Sequence, residues 1–261
     1  MHIELLSATA TAPGASGAAG AAVTGDSLVI KNGQGPVRLL SAWFDSQATG
    51  FVSIVNPSGH DTTRGIRFRH AAGEIRQEIP MGLGLPLQPQ ETLAITIAGS
   101  ATAGDVETLC MLLWYADLPG VQARLLKWSQ VVKLMQTLTT VEATITSAAG
   151  PGYSGAELIT AESDLLKANR DYAVLGMTTA SDVAAVTLLG PDLGNVRIGV
   201  PGESAQHDVG CNFFGMLSRA FGDLPCVPVI NSGNKNATYL GVITDENAGS
   251  IPVTLHLALL K

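Results

Sequence analysis

Most of the chain alternates between short apolar runs and turn-forming residues. The runs are rich in β-branched and apolar residues, and Gly, Pro, Asn or Asp bound them about every ten residues. Two runs, residues 93–97 and 253–257, alternate between apolar and polar positions, as half-buried antiparallel strands do. Because helical patterns do not separate most of the runs, this spacing predicts an all-β chain built as sandwiches or barrels.

The second half of the chain repeats the order of elements of the first half. A small-residue tract at 8–24 returns at 143–160, and strand-like runs then follow in the same order at an offset of roughly 140 residues. The paired runs are 37–44 and 172–178, 50–55 and 184–189, 65–68 and 195–198, 92–97 and 238–243, and 107–115 and 252–260. The order therefore predicts two tandem β-sandwich domains, at 1–118 and 140–261. We expect the small-residue tracts 8–24 and 144–156 to form arms or first strands at domain edges.

Two segments have helical spacing instead. Between residues 120 and 138 an apolar face is formed by Val121, Leu125, Trp128, Val132 and Met135. This face predicts a helical connector at 119–139 with Trp128 buried on it. The second segment, 212–221, has aromatic or apolar residues four apart and predicts a short helix among the later strands of the second half. The equivalent segment of the first half, 69–86, reads as a loop.

Composition favours a protein that buries surface against other subunits. Only 14% of the 261 residues are charged, well below the usual quarter, and Gly is abundant. A well-packed enzyme with a bland surface is the alternative. The net charge of −7 and the scattered basic residues, densest at Arg64, Arg67, Arg69 and His70, argue against nucleic-acid binding as the main task.

Neither export nor a membrane span is expected. The longest apolar stretch, around 109–115, is far shorter than a membrane-spanning helix, and the N-terminus lacks the pattern of a signal peptide. The three cysteines show no CxxC spacing, and an odd number favours free thiols in a reducing compartment. Cys110 is expected to be buried in a strand, and a pair between Cys211 and Cys226 is the alternative.

One short motif matches a hydrolase family. Residues 25–28 spell GDSL, in which Ser27 would be the nucleophile. That chemistry needs an Asp and a His close together near the C-terminus, but His256 lies in an alternating strand and no Asp is suitably placed. The motif is therefore interpreted as a turn followed by a strand.

Histidine clusters give two further candidate sites. His60, Asp61 and His70 could meet across a hairpin, and His207 and Asp208 lie near Cys211. Without HxH or CxxC spacing, loop residues are the preferred interpretation, although ion binding by His60, His70 or His207 stays open. We therefore predict no catalytic residue, cofactor site or metal site. Trp43 and Trp114 lie in strand runs and are expected to be core or interface anchors.

The predicted chain consists of two tandem β-sandwiches of about 110–130 residues each, joined by a helical connector. It resembles the double jelly-roll major capsid proteins of tailless icosahedral viruses, especially those of membrane-containing bacteriophages. The resemblance implies two jelly rolls, at 1–118 and 140–261, standing side by side. It further implies that three chains form a pseudo-hexagonal capsomer. A helix between late strands, as at 212–221, fits this family, whereas the first half has no matching helix.

The implied function is that of a major capsid protein in the virion, made in the host cytoplasm. Its partners would be two further copies in a homotrimer, neighbouring capsomers and minor virion proteins. Whether a membrane lies beneath the shell is an open question at this point. Direct sequence-specific nucleic-acid binding is not expected. The alternative is a carbohydrate-binding or receptor-binding β-sandwich protein, such as a phage spike or a lectin. A hydrolase built on Ser27 is a distant third.

Overall fold

The computed structural model describes most of the chain. It covers residues 1–11, 28–45, 49–55, 65–70, 76–78, 84–98, 102, 104–159, 165–202, 210–244 and 249–261. The structure is predominantly antiparallel β-sheet, which confirms the predicted all-β class. No described helix is both long and apolar enough to cross a bilayer.

The first half contributes two antiparallel sheets. Its strands are β1 (His2–Thr11), β2 (Val37–Asp45), β3 (Gly50–Val55), β4 (Ile66–His70), β5 (Arg76–Glu78), β6 (Leu85–Leu87), β7 (Ala94–Ala98) and β8 (Val106–Tyr115). One sheet has the order β1-β8-β2-β5, with β6 also paired to β2, and the other has the order β4-β3-β7.

A connector with one short helix leads into the second half. The elements that follow are β9 (Leu125–Leu126), α1 (Trp128–Leu134), β10 (Met135–Ser147), β11 (Gly152–Leu158), β12 (Asp171–Thr179), β13 (Ala185–Leu189), β14 (Ile198–Pro201), α2 (Phe213–Ala220), β15 (Val227–Asn231), a 3-10 helix (Ser232–Ala237), β16 (Tyr239–Thr244) and β17 (Gly249–Leu260). Helix α2 begins near the predicted position and buries Phe213 and Leu217.

The second half has eight principal strands, which form two sheets of four. One sheet has the order β10-β17-β12-β15, with β9 added at the edge, and the other has the order β11-β16-β13-β14. The chain enters the first sheet with β10 and crosses to the second with β11. Two consecutive strands, β13 and β14, pair within the second sheet, and the last strand returns beside the first.

The described strands of the first half follow the same order, and a matching irregularity fixes the register. In β2 the pairing with β8 shifts between Leu39 and Ser41, so Leu40 is the extra residue. In β12 the pairing with β17 shifts in the same way around Leu175. The sheets β1-β8-β2 and β10-β17-β12 are therefore equivalent strand by strand.

The connector differs from the sequence prediction. A helix over 119–139 was expected, but α1 covers only seven residues, β9 precedes it and β10 begins directly after it. The strand prevails because residues 137–146 are rich in Thr, Val and Ile and alternate between exposed and buried positions from Val141 onwards. The predicted helix face is also wrong, because Val131 is buried whereas Val132 is 50% exposed. Trp128 is half-buried.

Two other predicted segments are only partly described. The loop predicted at 69–86 contains the ends of β4 and β6 and the whole of β5, so it is not simply a loop. The small-residue tracts supply edge strands where they are described, since β1, β10 and β11 lie at sheet edges. Residues 12–24 of the first tract lie outside the described residues.

Substituting the two adjacent valines of α1 tests which face is buried. Val131→Ala removes two methyl groups from a fully buried site, so we expect a loss of about 1.5–3 kcal/mol in the free energy of unfolding. Val132→Ala is the matched control with the same change in helix propensity, and we expect it to stay within about 0.5 kcal/mol. Denaturant unfolding measures both, and equal losses would contradict this face assignment.

Candidate functional site: the junction between the two halves

The sheet β1-β8-β2 is buried on both faces. Its inner face packs into the core of the first half through residues such as Leu39, Met111 and Leu113. Its outer face belongs to the core of the second half through Ile3, Leu5, Leu40, Trp43, Cys110, Leu112 and Trp114. Residues 107–115 of β8 are all buried, which explains their nearly continuous apolar sequence. The two halves therefore share a continuous apolar junction.

Two tryptophans anchor this junction with both their rings and their N–H groups. Trp43 Nε1 donates to the Ala184 carbonyl at 2.7 Å, and the Trp43 ring meets Phe213 of α2 edge-on at 6.1 Å. Trp114 Nε1 donates to the Pro225 carbonyl at 3.1 Å. Both side chains are almost fully buried, and each satisfies its polar atom across the junction. The structure thus confirms the prediction that Trp43 and Trp114 are core or interface anchors.

The edge strands of the two halves also meet through their backbones. The Leu5 amide of β1 donates to the Arg197 carbonyl, next to β14, at 2.8 Å. Gly199 of β14 lies so close that a Cβ atom there would stand 2.5 Å from Leu5 Cδ2. A side chain at 199 would displace the Leu5 side chain and crowd the Val186 carbonyl at 2.9 Å, so the site favours glycine.

A polar cluster lies beside this contact, with His2, Glu4 and Tyr115 buried and Lys31 exposed. Lys31 Nζ pairs with Glu4 Oε1 at 2.5 Å, and the Lys31 amide donates to the Tyr115 hydroxyl at 3.3 Å. The His2 ring stacks on Tyr115 with centroids 4.4 Å apart, and its two nitrogens have no hydrogen-bond partner among the described residues. Burial, followed by the nearby Lys31 charge, lowers the pKa of His2 to about 4. Burial and the Glu4 carboxylate raise the pKa of Tyr115.

A cavity of about 690 Å³ opens next to the Glu4–Lys31 pair. It lies between the halves and is lined by both apolar and polar residues, including Asn32, Gln90 and Asn195. Gln90 and Asn195 both have a left-handed backbone, with φ of 63° and 54°. Arg197 lies over the Tyr153 ring at 3.5 Å. The cavity thus offers hydrogen-bonding groups. Its acidic residue, Glu4, already forms an ion pair with Lys31.

The connector is fastened to the second half by Arg124. Its guanidinium binds both oxygens of Asp171, at 2.9 and 2.5 Å, and approaches Asp192 at 3.9 Å. Asn231 and Asn234 donate to the same two carboxylates. The pKa of Asp171 is lowered chiefly by its hydrogen bond to Arg124. This bidentate arrangement fixes where the chain leaves the first half.

Helices α1 and α2 are joined by a second set of contacts. Asp223, in the turn after α2, accepts from the Ser129 amide at 3.0 Å and from its hydroxyl at 2.5 Å, at the N-terminus of α1. The Trp128 amide donates to Ser218 Oγ of α2 at 2.9 Å. Trp128 packs so closely on Gly215 that a Cβ there would lie 2.7 Å from its ring. The connector helix therefore belongs structurally to the second half.

The structure describes only some of the residues that were considered for chemistry. Ser27, His60, Asp61, His207 and Asp208 lie outside the described residues, and His70 is described only as part of β4. His256 Nε2 lies 2.9 Å from Thr178 Oγ1 and 3.6 Å from Cys211 Sγ. Among the described residues no three His, Cys, Asp or Glu side chains form a group suited to a metal. The three cysteines are free thiols, as predicted, with Cys110 buried.

Sequence reasoning missed the polar residues of the junction. His2, Glu4 and Lys31 belong to segments without a recognisable motif. The pairing of β1 with β8 places His2 opposite Tyr115, and Lys31 reaches Glu4 and Tyr115 from a separate segment. Arg124 lies in the segment that was predicted to be helical, whereas in the structure it precedes a two-residue strand. A charged residue directly before Leu125-Leu126 is the only signal that the sequence offered.

Comparisons with known proteins give weak similarities only. No protein-family model matches the chain, and no curated protein matches its sequence. Among solved structures it is similar to the PBSX exported protein XepA, with a TM-score of 0.30 and 10% identity over 98% of this chain and 86% of that one. It is also similar to the major capsid protein P2 from bacteriophage PM2, with a TM-score of 0.22 and 8% identity over 98% of each chain. At these TM-scores the similarity carries no conclusion about function.

The contribution of the Trp43 hydrogen bond can be isolated by substitution. Trp43→Phe keeps an aromatic ring but leaves the Ala184 carbonyl unpaired, so we expect a loss of about 1–3 kcal/mol in unfolding free energy. Trp43→Ala should cost about 3–5 kcal/mol. Trp128→Phe, at a half-buried position, is the matched control and should cost less than about 1 kcal/mol. A Trp43→Phe protein as stable as wild type would contradict this anchoring role.

The buried His2 predicts a specific sensitivity to acid. Because its pKa falls from 6.5 to about 4 on folding, the unfolded chain binds a proton in this pH window that the folded chain does not. The stability linked to His2 is therefore complete above pH 6.5 and is lost as the pH falls towards 4. Between pH 7.5 and 4.5, wild type should lose about 2 kcal/mol more than His2→Phe, which keeps a stacking ring. Equal losses in denaturant titrations would refute this linkage.

Proposed function

We propose that this protein is a major capsid protein, built of two tandem jelly rolls, that forms the shell of a virion. The observation that carries the proposal is the strand order of the second half. Numbered along the chain, its eight principal strands form sheets of order 1-8-3-6 and 2-7-4-5, which is the arrangement of an eight-stranded jelly roll. The described strands of the first half have the same order and the same bulge.

The junction between the halves supports a structural role. A modular binding protein commonly joins its domains through small, polar contacts, whereas these halves share an apolar core. A subunit of a shell has to keep its two domains in one orientation so that each can meet a neighbour. The Trp43 and Trp114 anchors and the Arg124 clamp maintain such an orientation.

The proposed assembly unit is a homotrimer. A chain with two equivalent domains presents two similar lateral surfaces, and three such chains close into a ring of six sandwiches. Further partners would be neighbouring trimers and minor virion proteins. The proposal does not specify whether a membrane lies beneath the shell. Sequence-specific binding to nucleic acid is not part of the proposal, since the chain carries a net charge of −7.

The alternative of a carbohydrate-binding or receptor-binding protein has less support. Such proteins commonly stack sugars on exposed aromatic side chains, but Trp43 and Trp114 are buried in the junction and Trp128 packs against α2. We also propose that the chain has no catalytic activity of its own. Ester turnover abolished by Ser27→Ala would contradict that part.

Size-exclusion chromatography coupled to light scattering tests the assembly unit. We expect a particle of about three times the 27.0 kDa chain mass at micromolar concentration, because ring closure buries surface on every copy. A stable monomer under the same conditions would contradict the proposal.

A further inference from the structure

The outer face of the sheet β10-β17-β12 is partly uncovered, unlike that of its counterpart β1-β8-β2. Leu138 of β10 is 66% exposed, and Thr140, Glu142 and Thr144 on the same face are also exposed. In β17 this face presents Pro252, Thr254 and His256. The face is covered on the β12 side, where a Cβ on Gly176 would collide with the Gly210 carbonyl, and at Ala258 of β17, which is buried.

The two bulges establish which residues of the two faces correspond. Leu5, Leu112 and Ser41 lie side by side across β1, β8 and β2, directly after the bulge at Leu40. Thr140, His256 and Gly176 lie side by side across β10, β17 and β12, directly after the bulge at Leu175. Thr140 thus occupies the position of Leu5.

Two residues earlier, Leu138 occupies the position of Ile3. Ile3 is 1% exposed because the second half of the same chain covers it. The exposed Leu138 therefore lies at a position that, in the first half of the chain, is covered by the neighbouring jelly roll.

A cavity adjoins this exposed leucine. It has a volume of about 360 Å³ and is lined by Trp128, Met135, Leu138, Leu175 and Cys211, among others. Farther along β10 the face becomes polar, with threonines and Glu142. An apolar centre with a polar margin is typical of an interface between chains that are soluble before they associate.

The internal junction also indicates which strand would cover this face. Leu5 packs on Gly199 of the edge strand β14, and β4 is the equivalent edge strand of the first half. Gly199 pairs with Thr187, two residues before the last paired residue of β13. Arg67 pairs with Ser53, two residues before the last paired residue of β3. Counted from these strand ends, Arg67 of β4 takes the position of Gly199, whereas in the pairing of the runs 65–68 and 195–198 Arg69 takes it; both alignments place an arginine there.

The charges at these equivalent positions are complementary. Arg67 and Arg69 are exposed on β4, where Arg67 lies over the Phe51 ring at 4.4 Å. Glu142 is exposed on β10, two residues beyond Thr140 on the same face. An arginine side chain spans that separation, so the small apolar contact between Leu5 and Gly199 would be replaced by an ion pair between two chains.

We infer that the outer face of β10 and β17, centred on Leu138, binds the β4 edge of the first half of a second copy, with Glu142 meeting Arg67 and Arg69. This inference rests on the proposed homotrimer and specifies the surface that closes it. The contact is head to tail: each copy offers the β10 face on one side and the β4 edge on the other, so three copies close a ring.

The first test places a charge at Leu138. Leu138→Glu should raise the concentration below which the trimer dissociates into monomers by at least about tenfold relative to wild type. The melting temperature of the variant should be unchanged. Leu165→Glu is the matched control, because Leu165 is 58% exposed elsewhere in the second half and should leave the trimer intact. If wild type and Leu138→Glu are both trimers, this surface is wrong and the homotrimer stands. If wild type itself is a monomer, the proposed function fails as well.

Cysteine labelling provides a readout on the same face. Cys211 lines the cavity and is half-buried, whereas Cys110 and Cys226 are buried. We expect a maleimide to label Cys211 at least about tenfold more slowly in the wild-type trimer than in Leu138→Glu monomers. Equal rates would overturn the inference.

A charge exchange covers the case in which Leu138→Glu fails to fold. Glu142→Arg and the double variant Arg67→Glu/Arg69→Glu should each weaken the trimer at low salt, and the triple variant should restore it. Restoration is specific to facing charges, since a loss of fold would not be repaired by two further substitutions. A triple variant weaker than either parent would contradict the pairing.

Discussion

The sheet formed by β1, β8 and β2 carries apolar side chains on both faces, so it has to be covered twice. The first half alone covers only its inner face, and leaving Trp43, Leu112 and Trp114 in water would expose a large apolar patch. The second half supplies the other cover through α2, Ala184 and the edge strand β14. The orientation of the two halves follows from this requirement, and the Arg124 and Asp223 contacts then fix the connector.

The two equivalent faces differ in polarity, and the proposed homotrimer accounts for this difference, because in it the second face is covered only when chains associate. The outer face of β8 presents Cys110, Leu112 and Trp114, and its cover is part of the same chain, so folding buries it permanently. The outer face of β17 presents Pro252, Thr254 and His256, which tolerate water. In the proposed assembly this face has to remain soluble until the chains associate, and threonines with one exposed leucine meet that requirement. The low charge of the chain fits a subunit whose lateral surfaces become covered.

The sequence predicted the strands well because β-branched runs between turn residues report local structure. The bounds of β2, β3, β8 and β12 agree with the expected runs within two residues, and α2 lies where the aromatic spacing placed it. The connector was less predictable, because the apolar spacing from Val121 to Met135 fits a helix. In the structure Met135 pairs with β17 and therefore belongs to a strand. Local pattern contains no information about such distant pairing. For the same reason the cluster of His2, Glu4 and Lys31 could not be foreseen, because it combines the β1–β8 register with a contact from the separate segment that carries Lys31.

Electron microscopy of the purified protein tests the central claim most directly, because it images both the number of lobes and their symmetry. The account predicts class averages of three-fold particles with a nearly hexagonal outline, in which six sandwich-sized lobes surround the axis. Isolated two-lobed particles at concentrations where the protein is folded would contradict it.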